Sequence, residues 1–105
     1  MGEKENLIKK LKIFLENVSQ EFKIEKVFLF GSRATEEFRE DSDVDLIIIS
    51  KDFEGMNFLE RVSKMYDYWE LNLPVDFICY TSKEFNHLKD KITLASIAKK
   101  TGIEI

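Results

Sequence analysis

The chain has 105 residues, 44% of them apolar, including nine Phe and one Trp, which is enough for one hydrophobic core and excludes a disordered protein. Twenty Asp and Glu outweigh sixteen Lys and Arg, so the net charge of −4 excludes a protein that holds nucleic acid by general electrostatics. All of that imbalance lies between residues 31 and 46, where six acids face two bases; the rest of the chain is neutral. With Cys79 as its one cysteine, the chain can form neither an internal disulfide nor a thiolate zinc cluster, and a cytoplasmic setting is expected. No apolar run is long enough to span a bilayer, and the first residues, with Glu3 and Glu5 among them, do not read as a secretory signal.

In chain order, Leu7, Ile8, Leu11, Phe14, Leu15, Val18 and Phe22 recur at helical spacing and predict an amphipathic helix over about 5–22. Lys26-Val-Phe-Leu-Phe30 reads as a buried strand stopped by Gly31, with a short helical turn after it. Val44-Asp-Leu-Ile-Ile-Ile-Ser50 is apolar almost throughout, which predicts a second strand covered on both faces. Phe58, Leu59, Val62, Met65, Tyr66 and Trp69 step by three and four, and Asn57 with Glu60 forms a capping-box pattern, so a middle helix is predicted there. Pro74-Val-Asp-Phe-Ile-Cys-Tyr80 reads as a third strand with Pro at its first position. Thr81 and Glu84 repeat the capping-box pattern and predict helical structure to about Lys100, before a short terminal strand at 103–105. No linker or repeat divides the chain, so a single α/β domain over 1–105 is expected, with a small mixed sheet of at least three strands flanked by helices.

The chemistry concentrates at four places. Gly31-Ser32 ends the first strand where unpaired backbone amides can face a phosphate. Arg33, a planar donor, either contacts a phosphate or is solvated or ion-paired. Asp43 and Asp45, two apart at the start of the second strand, share a face and can converge on one cation. Asp76 interrupts an apolar strand, where an unpaired charge is expensive to bury. These meet at one sheet edge if strands 2 and 3 run parallel, with the middle helix as crossover, and strand 1 runs antiparallel to strand 2. Oxygen-only ligands of this kind suit Mg²⁺ or Mn²⁺, which bridge to substrate phosphates. Glu36, Glu37, Glu40 and Asp41 read as a solvated acidic loop, His87 as an exposed helix residue, Cys79 as a buried small hydrophobe, and Phe53, Phe58, Trp69 and Tyr80 as core aromatics.

Gly31-Ser32, ten intervening residues, Asp43-Val44-Asp45 and a later Asp76 resemble the Gly-Ser-x10-Asp-x-Asp signature of the minimal nucleotidyltransferases of the DNA polymerase β superfamily, over nearly the whole chain. The resemblance implies a polymerase β-like nucleotidyltransferase fold and transfer of AMP from ATP to a tyrosine of a helical HEPN-domain toxin, with this chain as antitoxin in a heteromeric complex. It further implies that Asp43 and Asp45 hold Mg²⁺, that Asp76 completes the metal site and activates the acceptor hydroxyl, and that Gly31 and Ser32 grip the triphosphate. Two other readings stay open: an antitoxin that neutralises by binding alone, and transfer to a small molecule or an RNA 3′ end.

Overall fold

The computed structural model of the protein describes residues 2–34, 43–91 and 102–105. The first helix, α1 (Glu3–Val18), ends four residues before the sequence pattern suggests. Ser19 closes it with its N–H on Leu15 O at 2.9 Å, and successive turns then carry Phe22 back into the core. Strand β1 (Ile24–Phe30) leads into a 3-10 turn, Gly31–Ala34. Strand β2 (Val44–Ser50) is followed by a second 3-10 turn, Lys51–Phe53, which the sequence reading did not include. Its cap is local: the Ser50 hydroxyl accepts from Asp52 N and donates to Lys23 O, so this buried Ser both ends β2 and caps the turn. Helix α2 (Phe58–Tyr68), strand β3 (Val75–Tyr80), helix α3 (Ser82–Leu88) and the two-residue strand β4 (Ile103–Glu104) complete the order.

Both expected capping boxes are present, Asn57 with Glu60 and Thr81 with Glu84. The sheet order is β3-β2-β1-β4, with β1 antiparallel to β2 and β4, and β2 parallel to β3. This small mixed sheet with flanking helices matches the expected fold class. The helical structure expected from Thr81 is α3, which ends at Leu88 with Lys89 as its cap, while the acidic loop at Glu36, Glu37, Glu40 and Asp41, and the expected helix over 92–100, lie outside the described residues.

Strand alternation separates two apolar layers. Val27, Leu29, Val44, Leu46, Ile48, Val75, Phe77 and Cys79 face α1 and α2. Phe28, Phe30, Ile47 and Ile49 face the opposite way, where α3 contributes Phe85. Cover on both faces explains why β2 carries an almost unbroken apolar run. Cys79 is fully buried as expected, and burial pushes its thiol up to about 12, while His87 is exposed on α3. Phe53, Trp69 and Tyr80 pack in or against the core, but Phe58 does not: it is 56% exposed.

The inner face of α2 instead runs through Met65 and Arg61, a charged residue only 8% exposed. Arg61 is tolerated inside because its fork is satisfied. Nε donates to Met56 O at 2.9 Å, and Nη1 donates to Cys79 O at 3.1 Å and to the Glu84 carboxylate at 2.6 Å. Among the described residues no helix is long and apolar enough to cross a membrane.

Candidate active site

The parallel pairing of β2 with β3 starts where Val44 N donates to Pro74 O at 2.9 Å, and its register sets Asp45 directly beside Asp76. The antiparallel pairing of β1 with β2 sets Phe30 opposite Asp45. By strand alternation Asp45 and Asp76 belong to the face of Ile47, Ile78 and Phe30, away from α1 and α2. Farther along this face Phe28, Ile49 and Tyr80 meet Phe85 of α3. The acidic end is left to the two carboxylates, with Asp43 two residues before Asp45. Asp43 and Asp76 are exposed and Asp45 is half-buried.

Burial, first, and then the negative charges of Asp76 and Asp43 raise the Asp45 carboxyl above the ordinary carboxylate range. Asp45 therefore feels the charge of both neighbouring acids. Among the described residues no three His, Cys, Asp or Glu side chains are drawn together at metal-ligand spacing, so the trio stands along one edge as neighbouring but separate donors.

Gly31 joins the site by backbone contact. Its φ of +73° is a conformation L side chains rarely adopt, and a Cβ there would fall on the Oδ2 of Asp45 and lie 3.2 Å from its Cγ. The 3-10 turn that follows, with Ser32 at its second position, packs against both β1 and β2. Arg33, at the third position, is almost fully buried, so its side chain turns into the protein and does not reach into solvent beside the acids.

The structure thus brings Gly31, Asp43, Asp45 and Asp76 to one sheet edge, with the backbone of Ser32 next to them. Phe30 is an addition that the sequence reading treated as strand filling; its place just before Gly31 and directly across from Asp45 makes it an apolar wall of the site. A cleft of about 390 Å³ between α1 and the segment after α2, lined by Ile13, Phe14, Tyr68, Leu71 and Leu73, contains none of these acids.

A hard-oxygen donor set beside a glycine turn suits a divalent cation together with a phosphate chain. The sequence model of a nucleotidyltransferase domain matches residues 11–99. Among solved structures, a protein from Sulfolobus solfataricus to which nucleotidyltransferase function is ascribed superposes with a TM-score of 0.66 at 30% sequence identity, covering 85% of this chain and 79% of that one. No curated protein shows a significant sequence match. On the extent of the family match and of this structural relative, the chain belongs to the nucleotidyltransferase domain family.

Proposed function

We propose that this nucleotidyltransferase is Mg²⁺-dependent and transfers AMP from ATP to a hydroxyl of a partner protein, a tyrosine of a HEPN-family toxin, and so acts as an antitoxin. The observation that carries the catalytic part is the register pair Asp45 and Asp76 beside Gly31. Asp43 and Asp45 would hold Mg²⁺, or Mn²⁺, with Asp76 completing the set. Their fit rests on the all-oxygen donors and on the like-charge repulsion at Asp45, which a divalent cation relieves. When bound, the cation supplies charge neutralisation for the triphosphate and for the departing pyrophosphate.

The chain's own groups account for the rest. Asp76, exposed at the edge, accepts the proton of the attacking hydroxyl as its oxygen bonds to the α-phosphorus and the bond to pyrophosphate breaks. Gly31 and Ser32 offer a turn without bulk on which the triphosphate can lie. Arg33, being buried, supports that turn from within.

The antitoxin part rests on the signature in the sequence. ATP labelled at the α-phosphate should mark the cognate toxin, and the double substitution Asp43→Asn with Asp45→Asn should abolish the label. Labelling that survives both substitutions overturns the catalytic reading. Neutralisation that survives while labelling is lost shows that binding alone suffices.

A further inference from the structure

Helix α2 carries an apolar strip along the margin of the core, where Val62 is partly buried and the Tyr66 ring packs edge-on to Phe77 while Phe58 and Leu59 stay exposed. Phe58, Val62 and Tyr66 are four residues apart, Leu59 lies beside them, and the strip is about 12 Å long at 1.5 Å rise per residue. Phe58 is 56%, Leu59 73% and Tyr66 47% exposed. At 100° per residue, this strip lies between the buried face of Arg61 and Met65 and an exposed acidic ridge made by Glu60 and Asp67. The helix's one exposed cation, Lys64, lies beyond that ridge and leans on Glu21 of α1 at 3.6 Å.

At one end Phe58 borders a recess of about 320 Å³ with Met56, Tyr80 and Leu88. At the other, the Tyr66 hydroxyl donates to Val75 O at 2.6 Å, one residue before Asp76. The strip therefore runs along the side of β3, an edge strand of the described sheet, and ends near the candidate active edge. Exposed apolar patches bordered by polar residues mark interaction sites.

We propose that this strip of α2 is the docking surface for the protein acceptor, which meets it with an apolar helix face bordered by Lys or Arg. The inference rests on the catalytic reading above and adds to it where the acceptor lies. Charge decides between occupants: two copies of this face would set the Glu60 and Asp67 ridges against each other, whereas a basic border neutralises them. An acceptor held on α2 has its near end beside Val75, from which a hydroxyl extends around the edge strand β3 to Asp76 on the other face of the sheet.

Two synthetic amphipathic helices with the same Leu/Ile face, one bordered by Lys and Arg and the other by Glu, are the probes. They are titrated into the full chain and followed by backbone amide NMR. The basic peptide should bind at least about tenfold tighter, with shifts centred on residues 58–66, and Leu59→Glu should remove that binding. Joint substitution of Glu60→Lys and Asp67→Lys should reverse the preference, a readout that does not depend on how Leu59→Glu folds. Equal binding of both peptides, or shifts away from α2, overturns the proposal. So does self-association of the wild type that Leu59→Glu dissolves, which would make a second copy the occupant. MgATP binding, followed in the same samples, separates the two readings. Its absence overturns the catalytic reading, and loss of peptide docking with MgATP binding retained overturns the docking surface alone.

Discussion

The Oδ2 of Asp45 occupies the place where a Cβ at Gly31 would have to be, so the turn and the carboxylate fit together because residue 31 has no side chain. That contact follows from register, since Phe30 is paired with Asp45 and the next residue turns across it.

Gly31→Ala should consequently harm chemistry more than folding. A non-glycine residue at a positive φ costs about 1–2 kcal/mol, a fall in melting temperature that calorimetry would register. The added methyl also forces the Asp45 carboxylate to swing away. Nucleotidyl transfer should drop at least ~100-fold, the scale of losing one charge-stabilising group. A variant that loses stability but keeps full transfer would show that the position of Asp45 is not critical.

Asp45→Asn should trade function for stability. The substitution removes a half-buried charge that stands beside Asp76 and Asp43, so in chelator the variant should melt at or above the wild-type temperature. Added Mg²⁺ should raise the melting temperature of the wild type, by about 2.7 kcal/mol of stabilisation at a hundred times Kd, and leave the variant nearly unmoved. Equal Mg²⁺ shifts in both proteins would remove Asp45 from the metal site.

Much of this arrangement was legible in the sequence because it depends on local patterns. The apolar run of β2 announced cover on both faces, the two capping boxes announced helix starts, and the demand that Asp43, Asp45 and Asp76 share an edge dictated strand directions that the sheet has. What escaped depends on contacts distant in sequence. Phe58 and Leu59 have the spacing of a core stripe, yet the buried phase passes through Arg61, whose burial rests on carbonyls and a carboxylate supplied by Met56, Cys79 and Glu84. Periodicity alone cannot show that a charged side chain will find those partners. Arg33 is similar in one respect: the sequence leaves it between a phosphate contact and a solvated or ion-paired side chain, and its burial within the turn Gly31–Ala34 is not visible in local pattern.

Arg61→Met should destabilise the fold without touching the chemistry. The substitution leaves Met56 O and Cys79 O without their donor and breaks the bridge to Glu84, an expected cost of about 2–4 kcal/mol read as a lower denaturant midpoint. Arg61 bonds Cys79 near the far end of β3 from Asp76, so transfer per folded molecule should remain close to wild type. A large loss of transfer in fully folded variant would mean that the two ends of β3 are coupled.

Glu84 makes the same bridge sensitive to acid. Hydrogen bonding from Arg61, above all, holds its carboxyl below the ordinary range, with further donation from Thr81. A depressed folded-state value means that the stabilisation is present above the unfolded carboxyl's titration near pH 4.5 and disappears as pH falls through the lower folded value. Glu84→Gln keeps an acceptor for the Thr81 N–H but cannot titrate, so the wild type's advantage over it should be present at pH 7 and be lost at an acidic pH below the folded carboxyl's titration. Because the Glu84 side chain is 44% exposed, solvent screening should limit that advantage to under about 1 kcal/mol. Chemical denaturation of the two proteins at both pH values measures it. A gap that stays constant with pH would place the contribution of Glu84 in its cap geometry, with its charge adding nothing.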